Sequence, residues 1–262
     1  MKSIKLIILQ IKMNLLFQLQ YKKNIIIQVF FSLFEFIFII ATLEIIYMHV
    51  TSIKSWTREE ILLIIGTYYI VDGLVRSVIA PSLKKFMQGV GTGNFDFVLL
   101  RPVDSRFWSK ICVINIWESV NIMIGIVITF YAYFQITITF NILFILAYLL
   151  FIVLGFSIII NLYTLLATVS FWFINVAELV EIFPQFLQTA GKWPISIYPN
   201  WLKLIFTFII PIGVAITFSV EALLGSFSFL TFLIGVGVAF AMYLLSKVVW
   251  IFGLKKYNSA SS

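Results

Sequence analysis

The sequence predicts an all-α polytopic membrane protein. Six transmembrane helices are expected, with an N-terminal interfacial elbow helix and outer re-entrant helices before the last span. Three observations carry this reading. The 262 residues are 62% hydrophobic and 18% aromatic, with a mean hydropathy of +1.08. Only 11% are charged, against about 25% in a soluble domain, so the chain lacks the residues to cover a water-facing surface. Apolar runs of roughly 20 residues, the length that crosses a bilayer, recur between short polar segments. Disorder is excluded because disordered segments are polar and poor in aromatics. Six spans leave no length for a soluble enzyme domain.

In residues 1–24, Ile4, Ile7, Ile8, Ile11, Leu15 and Leu19 recur at helical spacing, with Lys5 and Lys12 opposite. That pattern predicts a helix lying in the headgroup plane. Lysines bracket this stretch and no small-residue cleavage site follows, so it does not read as a signal peptide. The first span covers about 25–48. In the short loop that follows, Thr57 stands three residues before Glu60, a capping-box spacing ahead of an apolar run. The second span is expected over 61–80, ended by Pro81. Residues 82–110 form the longest polar segment. A third span is expected over 111–133, a tight turn over 135–139, a fourth span within 140–172 and a fifth over 173–190. Residues 191–200 carry Gly191, Pro194 and Pro199, and 201–225 is apolar but broken by Pro211 and Gly213. Two short helices dipping into the outer leaflet fit this stretch, since broken backbone is tolerated at membrane depth only where protein covers it. A helix kinked at Pro211 and crossing as a seventh span is the alternative. The last span covers about 228–252.

The cations orient the chain. Lys2, Lys5, Lys12, Lys22, Lys23, Lys84, Lys85, Arg101, Arg106, Lys110, Lys247, Lys255 and Lys256 fall on one side of a six-span plan. Lys54, Arg58, Lys192 and Lys203 fall on the other, and Arg76 lies within a span. By the positive-inside rule both termini are cytoplasmic. The net charge of +7 is therefore a topology signal, and no nucleic acid is expected as a partner. Trp56, Trp108, Trp193, Trp201 and Trp250 fall at expected span ends, as an interfacial aromatic belt would.

Charges within spans are costly and so are candidates for function. Asp72 and Arg76 stand four apart on one helix face, the spacing of an ion pair. Glu35, Glu44 and Glu118 face no cation nearby in sequence; they would meet a partner chain or line a polar path. Glu178 and Glu181 share a face near the headgroups. Catalytic constellations are missing. A single Cys and a single His cannot build a structural zinc site, which takes about four ligands, and His49 alone supports no triad. The run GVGTGNFD (89–96) lacks the flanking strand and the Lys-Ser/Thr of a phosphate loop, and reads as a flexible turn. Neither a catalytic site nor a cofactor or metal site is expected in this chain.

With this layout drawn, the chain resembles the permease subunit of an ATP-binding-cassette exporter of the type-2 (ABC-2-like) family, over nearly its whole length. The basic N-terminal helix resembles that family's elbow helix. Gly93, Asp96, Leu99, Leu100, Arg101 and Pro102 resemble its cytoplasmic signature, in which a Gly-Asp turn precedes Leu-Leu-Arg-Pro. Residues 198–225 resemble its outer re-entrant helices. The tail WIFGLKKYNSASS (250–262) resembles its C-terminus. The first outer loop is short, so the large outer domain of some exporters is missing.

The resemblance implies one permease domain over 1–262, with an interfacial helix (1–24), a cytoplasmic coupling loop (82–110) and an outer re-entrant region (191–225). It implies a separate ATPase dimer, which holds ATP and Mg and docks on the coupling loop, with Lys84, Lys85, Phe86, Phe95, Asp96 and Arg101 as contact candidates. It implies a second permease chain, identical or homologous, to complete the path. The location would be a bacterial plasma membrane, to which the abundance of Ile, Phe, Lys and Asn of an AT-rich genome also points. The rival reading is a secondary transporter or channel. That class would show paired broken helices in internal repeats, and no second copy of the Pro-Gly-interrupted stretch is found. The 28 Phe fit an apolar cargo and lipid-facing packing equally.

Overall fold

The computed structural model describes residues 9, 12–14, 16, 18–20, 22–136, 140–173, 176 and 179–257. It is mostly helical, with no strand among the described residues. Five helices are long and apolar enough to cross a membrane, or six if a bent pair is counted as one span.

Helix α1 (Lys22–Tyr47) is followed by α2 (Arg58–Leu74). The expected capping box starts α2: Thr57 Oγ1 accepts from the Glu60 amide and Glu60 Oε2 accepts from the Thr57 amide at 2.8 Å. Helix α2 does not stop before Pro81, as the sequence suggested. It runs through a π-helical turn (Val75–Ile79) into α3 (Ala80–Gly91), one path of 34 residues. Proline removes the N–H that would bond the carbonyl four residues back. That carbonyl, Ser77 O, accepts instead from the Asn115 amide at 2.6 Å. Pro81 therefore opens a docking point for a second segment without ending the helix.

Short helices α4 (Asp96–Leu99) and α5 (Ser105–Ile111) follow. The expected third span loses its first residues. Residues 113–115 are not helical, being held to α3 by Ser82 Oγ, which bonds both the amide (2.9 Å) and the carbonyl (2.8 Å) of Val113. Helix α6 (Ser119–Gln135) then packs along α2. Gly66, Gly73 and Gly125 let the two backbones touch; a Cβ on Gly125 would lie 2.6 Å from Gly66 O. Small residues at such contacts are the usual device of membrane helix pairs. Part of the expected turn, 137–139, lies outside the described residues.

Helix α7 (Ile142–Thr168) starts at Asn141, whose side chain caps Leu143 N at 2.9 Å, and ends in a 3-10 turn (Val169–Phe171). Among the described residues, the expected fifth span contains α8 (Leu179–Ala190), with Pro184 inside it. At about 1.5 Å per residue, those 12 residues reach roughly 18 Å, short of a 30 Å hydrocarbon layer. The chain nevertheless changes ends of the bundle between Phe171 and Ser196. Phe171 packs at the α3 end of the bundle, against Phe86, whereas Ser196 meets Trp56 at the opposite end, with Trp56 Nε1 donating to Ser196 Oγ at 2.8 Å.

The bent pair follows. Helix α9 (Asn200–Leu204) continues into a π-helical turn (Ile205–Ile209), then α10 (Ile212–Ala215) and α11 (Thr217–Leu223), with a 74° bend at the break. Ala215 lies against Gly155, midway along α7, while Gly225 lies against Phe144 near the start of α7. Helix α12 (Phe229–Lys256) begins with a Ser228–Thr231 capping box and returns to the α3 end, where Trp250 meets Phe86.

Of the expected interfacial helix, positions 9, 12–14, 16, 18 and 19 are helical, and the rest of residues 1–8, 10, 11, 15, 17 and 21 lie outside the described residues. Gln18 lies at the α3 end: Ile116 N donates to Gln18 Oε1 at 3.1 Å, and Gln18 Nε2 donates to Ile114 O. Tyr257 lies there too. Three of the expected belt tryptophans, Trp56, Trp108 and Trp250, are buried inside the protein and act as packing residues. Trp201 is exposed.

Candidate functional site

Two groups of polar residues stand out. The first is the module at the α3 end, residues 80–116. If Arg58 sits at one membrane face, the 34-residue path of α2–α3 spans about 51 Å at about 1.5 Å per residue. The hydrocarbon takes about 30 Å of it. The end of α3 and the turn after it therefore stand well clear of the lipid tails.

The turn is shaped by glycine. Gly93 has φ +77°, a conformation that costs a side-chain-bearing residue. The chain reverses there so that Phe95 folds back under α3. Phe95 is 1% exposed and Phe86 4%. Their rings meet at 5.1 Å between centroids, and Phe171, Trp250 and Tyr257 complete an aromatic cluster around them. Phe86 and Phe95, expected as partner contacts, are thus largely buried and pack the module against Phe171 and Trp250, although both also line a cavity on this module.

The exposed face is different in kind. Leu100 is 81% exposed and Phe97 66%, and Lys84, Lys85 and Arg101 are exposed beside them. The Arg101 guanidinium lies 4.5 Å over the Trp108 ring. A cavity of about 510 Å³ opens on this face, lined by Lys85, Phe97, Arg101, Trp108 and Ser109 among others. Asp96 is half-buried and accepts from Tyr257 Oη at 3.0 Å. Asp104 caps α5, its Oδ1 accepting from Phe107 N at 2.7 Å. Burial pushes the Lys110 ammonium down to about 8 and raises the Cys112 thiol.

The second group lies between the ends. Arg76 Nε is 2.7 Å from Asp72 Oδ2, the pairing expected from their spacing. Asp72 is buried, as are Tyr68 and Tyr69 on the same helix. Their hydroxyls and Asp72 Oδ1 have no hydrogen-bond partner among the described residues. Glu118 accepts from Asn121 Nδ2 at 2.9 Å.

Two acids acquire cations that sequence proximity did not offer. Arg58 Nε donates to both carboxylate oxygens of Glu44, at 3.0 and 3.1 Å. Lys192 Nζ donates to Glu35 Oε1 at 2.9 Å and lies 5.2 Å over the Tyr68 ring. Both cations were expected in loops. The Glu178–Glu181 pairing lies outside the described residues and side chains. Also unforeseen was Arg106, which points into the bundle between α7 and α12; nothing local in sequence separates it from its basic neighbours.

A family model described as "ABC-2 family transporter protein" matches residues 26–261. No curated protein and no solved structure matches the chain.

Proposed function

The chain belongs to the ABC-2 family of transporter proteins, and from that premise we propose that it is the permease of an ATP-driven exporter, coupled through residues 82–110 to a separate ATPase. The family makes it a multi-pass membrane component of a transporter. The finer reading rests on one observation. Phe97 and Leu100, both strongly exposed, sit with Lys84, Lys85 and Arg101 on a module that stands beyond the lipid tails. Apolar side chains held there, in water, are the mark of a protein-docking surface. Asp96 contributes by fixing the module to Tyr257.

The 13 cations that the sequence assigns to this side support a cytoplasmic placement of this end and of both termini. A bacterial plasma membrane is the proposed setting. The bent pair from Asn200 to Leu223 starts and ends at the opposite end and reaches mid-depth at Ala215, which supports an outer re-entrant hairpin. Two such permease chains would enclose the path. Asp72, Arg76 and Glu118, with Glu35 and Glu44, are the candidates to line it; Asp72 pairs with Arg76, Glu35 with Lys192 and Glu44 with Arg58.

Co-expression of the chain with ABC ATPase subunits from the same genome tests the reading. The two should co-purify, and K85E/R101E should abolish association while membrane insertion persists. A chain that transports alone on an ion gradient, or co-purification that survives the double reversal, would overturn it.

A further inference from the structure

Arg106 is a charge placed where its own element does not lead one to expect it. It belongs to α5, in the docking module, yet its guanidinium leaves that module and enters the bundle. Nη2 donates to Asn161 Oδ1 on α7 at 3.0 Å, to the Tyr243 carbonyl on α12 at 3.4 Å and to Ser246 Oγ on α12. The guanidinium also lies 5.1 Å over the Tyr243 ring. Its partners are prepared for it. Asn161 and Ser246 are buried at 3% and 0% exposure, Ser246 Oγ donates to Asn161 Oδ1 at 2.8 Å, and Asn161 Nδ2 is held by Ser157 O at 2.8 Å. One cation thus ties three elements together, and two of them run the depth of the bundle.

We propose that Arg106 is the positioning residue that transmits movement of the docking module to α7 and α12. The physical case has two parts. The rest of the module is joined to the bundle by the continuity of α3 with α2, by the Asn115–Ser77 and Tyr257–Asp96 hydrogen bonds and by aromatic contacts of Phe86 and Phe95 with Phe171 and Trp250; none of these grips the middle of α7 and α12 together. The Arg106 fork cannot slide. Charge-assisted hydrogen bonds are directional, and separating the half-buried cation from its acceptors would leave the buried Asn161 and Ser246 side chains short of a partner. A displacement of α5 therefore either drags Asn161 and Ser246 or breaks the cluster that Arg106 forms with them. The inference extends the ATPase-coupling reading and rests on it.

The experiment uses the permease–ATPase complex in lipid nanodiscs, with backbone hydrogen exchange followed at 157–165 and 240–250. Trapping the ATPase with ATP and vanadate should change exchange in both stretches at least several-fold in the native chain. In R106Q the ATPase should still co-purify and still trap vanadate, but the response in both stretches should fall to less than a third. R106K should restore part of it, and S246A, which keeps the cation and removes one acceptor, should give an intermediate response. A full response in R106Q, or none in the native complex although the ATPase traps, would overturn the proposal. Failure of the native chain to bind any ATPase would instead remove the reading on which it stands.

Discussion

Lys192 and Glu35 are 157 residues apart in sequence, and Lys192 Nζ lies 2.9 Å from Glu35 Oε1. Glu35 falls in the middle of the first span, and Tyr68, whose ring Lys192 also covers, is ten residues into the second. The pair therefore lies about 15 Å below the Arg58 end at about 1.5 Å per residue. A charge at that depth costs about 2.5–3.5 kcal/mol on insertion scales, and pairing offsets it. Removing one partner should expose that cost. K192M and E35Q should each lower the thermal midpoint of the purified chain, and the double variant should recover much of the loss. Strictly additive losses in this cycle would show that the pair is not coupled.

Gly125 and Gly237 give a paired test of helix packing. A Cβ on Gly125 would meet Gly66 O and Ile70 N at 2.6 Å, both backbone atoms, whereas a Cβ on Gly237 meets nothing within 4 Å. Overpacking a tight contact costs about 1–3 kcal/mol. In an open helical site alanine is the better residue by about 1 kcal/mol. G125A should therefore destabilise the chain and G237A should leave it unchanged or stabilise it. Equal denaturation midpoints for the two variants would contradict the α2–α6 contact.

These residues also mark what was legible in the sequence. Spans, caps and the Asp72–Arg76 pair follow from local periodicity and spacing, and they were readable because the cause lies within a few residues. Lys192 with Glu35 and Arg106 with Asn161 depend on which helices become neighbours, and no local pattern encodes that. Pro81 misled for a related reason. Its local effect, a missing N–H, is real, but the orphaned Ser77 carbonyl is satisfied by Asn115, a residue from another segment. Phe86 and Phe95 are contact candidates through the family resemblance, which marks a segment and not the exposure of each residue. Only the fold shows that the Gly93 turn brings Phe95 back onto Phe86, with both rings buried.

Tyr257 holds the Gly93 turn from the far end of the chain, through its hydroxyl on Asp96 and its ring on Phe95 at 5.3 Å. Y257F keeps the ring and removes one hydrogen bond to a carboxylate at a half-buried site, a loss of about 1 kcal/mol. Limited proteolysis at residues 92–95 should then become several-fold faster, with the rest of the digest unchanged. Burial, with Asp96 adding to it, pushes the Tyr257 phenol up to about 12. The native bond should therefore persist at pH 10, where an ordinary tyrosine is half ionised. Faster cleavage of the native chain at pH 10 than at pH 8, confined to this turn, would count against the bond.

Lys110 makes the stability of the docking module depend on pH. Its ammonium titrates at about 8 because burial disfavours the charge, with the Arg106 guanidinium adding to that effect. In the unfolded chain it titrates near 10.4. Below about pH 8 both states hold the proton, and the folded state bears the cost of a buried cation. Between about 8 and 10.4 the unfolded state binds more protons than the folded one, so stability rises with pH. The Cys112 thiol, raised by burial, works against this: above its unfolded value it lowers stability as pH rises. A comparison of native chain with K110M cancels the Cys112 contribution. K110M should be the more stable at pH 7, and its advantage should shrink steadily from pH 8 to pH 10. An advantage that stays constant across that range would mean that Lys110 is not carrying the pH dependence.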